Sequence, residues 1–101
     1  MYALAIIRYR RPLEEVARHT EAHRTYLGRL KSEGTLLASG PLDPRNGGAA
    51  LFHVPDGPDL WTRLDALRDG DPYVQAGVAQ YEVLPWAVAT GREDLDRLWM
   101  G

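Results

Sequence analysis

The chain alternates between two kinds of apolar pattern in a fixed order, and that order leaves few folds open. Residues 2–9, YALAIIRY, are rich in β-branched and aromatic types and read as a strand. This run is apolar on both faces until Arg8, which suits a central position in a sheet. Pro12 fits a helix start, where its missing N–H costs nothing. Glu14 and Glu15 follow in the first turn, where the helix dipole favours acids. Residues 13–33 then read as one long helix. At about 100° per residue Val16, Thr20, Leu27 and Leu30 form one stripe, and Gly34 caps its end. Residues 35–42, TLLASGPL, and 49–54, AALFHV, read as strands joined across the turn-rich DPRNGG. Residues 55–70 supply a second helix, with Leu60, Leu64 and Leu67 on its stripe and Gly70 placed for a left-handed cap. After an Asp71-Pro72 turn, residues 78–86, VAQYEVLPW, alternate as a fourth strand. The amphipathic EDLDRLWM, residues 93–100, reads as a short terminal helix.

The order is therefore βαββαβ. Right-handed crossovers put both helices on one face of a four-stranded antiparallel sheet, the ferredoxin-like α+β arrangement. Alternate residues of apolar strands are left on the other face, which needs a cover. A second copy of the sheet is the simplest one. The expectation is a homodimer built face to face, open to higher assembly, with a cavity at the sheet–helix edge.

At 101 residues one domain is expected. With no cysteine there is no disulfide framework and no thiolate metal site, which fits a reducing, cytoplasmic setting. The opening apolar run is too short to span a bilayer and lacks the basic lead of a signal peptide, so no membrane role is expected. Net charge is −2 with both signs mixed. The densest basic run is only Arg8, Arg10 and Arg11, a small footprint for nucleic acid.

His23 lies in the middle of the apolar stripe and so points inward. An imidazole in a semi-apolar site suits a general base or acid, provided a partner fixes its tautomer. Asp71, at the junction of the second helix and the last strand, is the acid whose position fits. Each residue also has a plainer reading. A histidine on an apolar face is commonly a satisfied core residue. Asp71 suits an N-cap, with Pro72 at the first helical position and the Val74 N–H as its partner. One carboxylate can divide itself between the two tasks, so both readings stand. Arg8, Ser39 and Tyr73 are the expected ligand contacts, with Trp86 a further aromatic candidate for the pocket wall. His19 precedes His23 by one turn, but HTEAH lacks the glutamate directly after the first histidine that zinc peptidases use. No metal and no cofactor are expected.

Three stretches resemble the YCII-related family: AHRTYLGRLKSEGTLLASGPL (residues 22–42), GDPYVQAGV (70–78) and YEVLPW (81–86). They stand in family order and spacing, and the resemblance runs to about Ala87. It implies a dimeric ferredoxin-like α+β barrel over residues 1–89, with 90–101 as an extension beyond the usual family end. It also implies that His23 and Asp71 match the family's proposed histidine–aspartate pair. Relatives of the fold include lactone isomerases, a dehydrochlorinase and cofactor-free monooxygenases. The leading expectation is a small cofactor-independent lyase or isomerase acting on a small carbonyl or lactone substrate. The alternative is a dimer that binds a small ligand, such as an organic acid, without catalysis.

Overall fold

A computed structural model describes residues 1–100. Its four strands are β1 (Tyr2–Tyr9), β2 (Leu36–Pro41), β3 (Gly47–His53) and β4 (Ala79–Trp86). They form one sheet in the order β2-β3-β1-β4, antiparallel throughout. The strand read as central from its two apolar faces is central: β1 pairs Tyr2 with His53 of β3 on one side and with Trp86 of β4 on the other. This is the ferredoxin-like α+β order.

The long helix expected over 13–33 is two helices, α1 (Leu13–Ala17) and α2 (Thr20–Ser32). Between them the Arg18 and His19 N–H groups donate to Glu15 and Val16 carbonyls, three residues back, which tightens the turn. The break serves two separate patches of core. Val16 packs with Ile7, Tyr73 and Val78, whereas Tyr26, Leu27 and Leu30 pack with Leu36 and Phe52. One straight helix would have to reach both with a single stripe. At the end of α2, Gly34 adopts φ +81°, the left-handed cap that glycine takes without strain.

The second helix, α3 (Leu60–Asp69), is shorter than expected, and its Leu64 is fully buried with Ala3 and Val54. Gly70 is not a left-handed cap, because its φ is −77°. Its smallness answers a neighbour instead. A Cβ there would stand 2.7 Å from the Tyr26 hydroxyl. That ring is buried, and its hydroxyl donates to the Leu67 carbonyl at 2.6 Å. Gly70→Ala is therefore expected to cost about 1–3 kcal/mol, the usual range for overpacking. Urea denaturation of Gly70→Ala with and without Tyr26→Phe measures this. Full additivity of the two substitutions would contradict the contact.

A one-turn helix, α4 (Pro72–Gln75), follows, in line with the reading of Asp71 as an N-cap before Pro72. Helix α5 (Arg92–Met100) closes the described chain. It docks on the sheet face that α2 and α3 leave free: Tyr2 donates to Asp96 Oδ1 at 2.7 Å, and the His53 ring lies 3.9 Å from that of Trp99. The rest of this face stays open, with Leu84 and Trp86 each more than 40% exposed.

Candidate active site

The site forms where α2 passes the α3–β4 junction. Gly70 ends α3, and Asp71 turns the chain into α4 with Pro72 at its first position, where no N–H is needed. The Asp71 side chain is fully buried, as completely as the core residues Phe52, Leu64 and Val16. Its Oδ1 accepts from the Tyr73 N–H at 2.9 Å. This is the N-cap expected of it, though the partner is Tyr73 and not Val74. Val74 donates instead to the Asp71 backbone carbonyl. Asx-type geometry reaches the N–H two residues on more readily than three, which explains the difference.

The same carboxylate meets His23. The imidazole Nδ1 lies 2.8 Å from both Asp71 oxygens. A third donor, the Tyr81 hydroxyl of β4, bonds Oδ2. Burial first, and then the Asp71 charge, push the Tyr81 hydroxyl far above its ordinary pKa, so it remains a donor. Burial and the same charge also raise Tyr26. Asp71 is thus surrounded by groups that give it protons to accept, and its geometry directs the His23 proton to Nδ1. The imidazole stacks on Tyr73, with centroids 3.9 Å apart and planes 11° apart. Tyr73 is held in turn by a 2.8 Å bond between its hydroxyl and Thr20 Oγ1. The ring of His23 is therefore fixed from its face and from its edge. Among the described residues its Nε2 has no hydrogen-bond partner.

Beside this ring opens a cleft of about 280 Å³. Ile7 and Leu27 form apolar wall, while His23, Thr20, Tyr73 and Ser39 supply polar atoms. Of the expected ligand contacts, Ser39 and Tyr73 are therefore at the cleft. Arg8 is not. Ile7 points to the helix side, so Arg8 points to the open sheet face, where it pairs with Glu82 at 3.4 Å. Trp86 is on that open face too, beside Tyr2 in register. The cations at the cleft are Arg24 of α2 and Arg45 of the β2–β3 connection, neither of which was singled out. Arg24 adjoins the histidine in sequence, which was the available hint. Arg45 sits in a turn, and no pattern marked it. His19 is half-buried, and among the described residues no three His, Asp or Glu side chains gather as a metal ligand set.

The fold is that of a ferredoxin-like α+β protein, with a buried histidine–aspartate contact beside a small cleft. The chain belongs to the YCII-related domain family, which matches residues 1–87; α5 lies beyond that match. No curated protein matches the chain. Among solved structures it is similar to a 5-chloro-2-hydroxyhydroquinone dehydrochlorinase from Burkholderia phenoliruptrix AC1100, in complex with 2,5-dihydroxybenzoquinone. The identity is 23%, the match covers 88% of this chain and 96% of that one, and the TM-score is 0.71. That likeness is one of fold. No described helix is long and apolar enough to cross a membrane.

Proposed function

We propose that this chain is a small enzyme of lyase or isomerase type that needs no cofactor and uses His23 as general base. The observation that carries the reading is the 2.8 Å contact between His23 Nδ1 and a fully buried carboxylate, with the second ring nitrogen left unpartnered at an open cleft. With its proton on Nδ1, the ring presents the Nε2 lone pair. Nε2 takes a proton from carbon next to a carbonyl or lactone, and the C–H electron pair passes into the enolate. Asp71 then faces an imidazolium and stabilises it. Collapse of the enolate either expels a leaving group, giving elimination, or takes the proton back at another carbon, giving isomerisation. The solved structure of similar fold is a dehydrochlorinase, which is consistent with the first outcome. The test is turnover by wild type and His23→Ala on a panel of lactones, halogenated lactones and chlorinated hydroxyhydroquinones. Equal turnover by both removes the mechanism. A ligand that raises the melting temperature of wild type without giving product favours a binding module.

The reading includes a homodimer, joined through the open sheet face, in a cytoplasmic setting. Leu4 pairs with Leu84 across β1 and β4, and Trp86 continues the apolar patch. An apolar groove over Leu4, Leu42 and Leu51 adjoins them, and it shares Ser39 and Ala49 with the active-site cleft. A partner sheet on this face would therefore also border the cleft. Wild type is expected to sediment at twice the 11.3 kDa chain mass at micromolar concentration. Leu84→Glu, which would bury an unpaired charge at the contact, is expected to run as a monomer. A monomeric wild type contradicts the assembly.

A further inference from the structure

The cleft carries a charge pattern that the His23–Asp71 chemistry does not use. Arg24 and Arg45 both line it, from α2 and from the β2–β3 connection respectively. No Asp or Glu lines it, although acids outnumber Lys and Arg in the chain by 14 to 12. Asp71 does not line it, being fully buried against the histidine ring. Elsewhere among the described residues Arg8, Arg29, Arg68 and Arg92 pair with carboxylates, while Arg10, Arg11, Arg18 and Arg63 stand exposed on the surface without one, so what distinguishes Arg24 and Arg45 is their place around the cleft. Among the described residues neither Arg24 nor Arg45 has such a partner. Two guanidiniums left unneutralised around a concave, partly apolar cleft focus a positive field into it. Tyr9 and Tyr73 line the cleft with Arg45, and both guanidiniums stay charged at every working pH, as arginine does.

Size narrows the ligand further. At about 280 Å³ the cleft falls just under the usual range for drug-sized ligands, roughly 300–1,000 Å³. That leaves room for a single substituted ring or a lactone with a short side arm. Guanidinium forks match planar carboxylates in a bidentate way. We infer that the cleft selects a small organic acid of one-ring size, gripped through its carboxylate by Arg24 and Arg45 while the ring lies toward His23. This rests on the reading of His23 as the group that addresses substrate carbon. It assigns Arg24 and Arg45 as the specificity-determining residues and the carboxylate as the required handle.

The test uses benzoate and benzamide, which share size and shape and differ in charge. Each is titrated into the full chain and followed by amide chemical shifts in an NMR spectrum. Wild type should bind benzoate at least about tenfold more tightly than benzamide, as charge-assisted hydrogen bonds require. Arg24→Gln with Arg45→Gln should bring that ratio close to one while leaving the spectrum of the folded protein dispersed. Added salt should weaken benzoate and spare benzamide. A ratio near one in wild type, a ratio unchanged in the double variant, or no response to either compound overturns the assignment. The two readings fail separately. Charge discrimination that persists alongside equal turnover by wild type and His23→Ala leaves the acid site standing and removes the base. Loss of turnover in His23→Ala with no charge discrimination does the reverse.

Discussion

Replacing Asp71 with alanine is expected to lower the unfolding free energy by about 3–5 kcal/mol, the usual cost of removing one partner of a buried pair. Three donors converge on this carboxylate: the Tyr73 N–H, the Tyr81 hydroxyl and His23 Nδ1. Alanine leaves the first two buried with nothing to bond and opens a void at a site with no exposure at all. The loss would also unfasten two elements. Asp71 caps α4, and through Tyr81 it ties that turn to β4, while through His23 it ties the turn to α2. A domain of this size holds about 5–15 kcal/mol in total, so the substitution consumes much of it. With a shift of roughly 4–8 °C per kcal/mol, the melting temperature should fall by about 12 °C or more. Thermal and urea unfolding of wild type and Asp71→Ala measure it. A loss below about 1 kcal/mol would mean that the carboxylate is not the hub these contacts make it.

The sequence carried His23 and Asp71 further than it carried their surroundings, and the reason is physical. A stripe at helical spacing tells which way a side chain points, so His23 could be directed inward from Val16, Thr20, Leu27 and Leu30 alone. An acid before proline announces a turn, and the βαββαβ order brings that turn toward the first helix. Both signals are local, with topology closing the distance. Arg8 went the other way. YALAIIRY is apolar on both faces, so its alternation does not reveal which face meets the helices. The face is decided by Ala3, Ala5 and Ile7, whose small or compact side chains allow α2 and α3 to approach. Gly70 shows the same limit. Its place after a helix suggested a cap, but what it accommodates is the Tyr26 ring, forty-four positions earlier in the chain and invisible to any local rule. Tyr81 alternates inward with Ala79 and Val83, which marks it as buried but not as a donor to Asp71. Arg24 and Arg45 occupy an exposed helix position and a turn, where arginine is ordinary. Only the cleft between them makes them a pair.

His23→Ala and Asp71→Asn should both lose about 10²–10⁴-fold in turnover, the range for general acid–base help, and should do so for different reasons. Alanine at 23 removes the base outright. Its structural cost should be about 1–3 kcal/mol, below that of Asp71→Ala, because the buried carboxylate loses one donor and a stacked ring but keeps the Tyr73 N–H and the Tyr81 hydroxyl. Asparagine at 71 keeps the shape and changes the proton. The Tyr73 N–H holds the amide oxygen at the Oδ1 position, so the amide N–H donors take the Oδ2 position, and His23 Nδ1 meets a donor there by giving up its own proton. The proton moves to Nε2, the nitrogen that must be bare to act as base. Tyr81 can rotate its hydroxyl to accept, so Asp71→Asn should remain folded and be far more stable than Asp71→Ala. The signature is thus a stable, nearly inactive Asp71→Asn whose imidazole nitrogen shifts in a ¹⁵N NMR spectrum report the opposite tautomer from wild type. Imidazole in the buffer should restore part of the turnover of His23→Ala, where a cavity is left at the cleft, and none of that of Asp71→Asn, where the ring still fills it. Full activity in Asp71→Asn with the wild-type tautomer would separate the carboxylate from the chemistry and leave it as a cap alone.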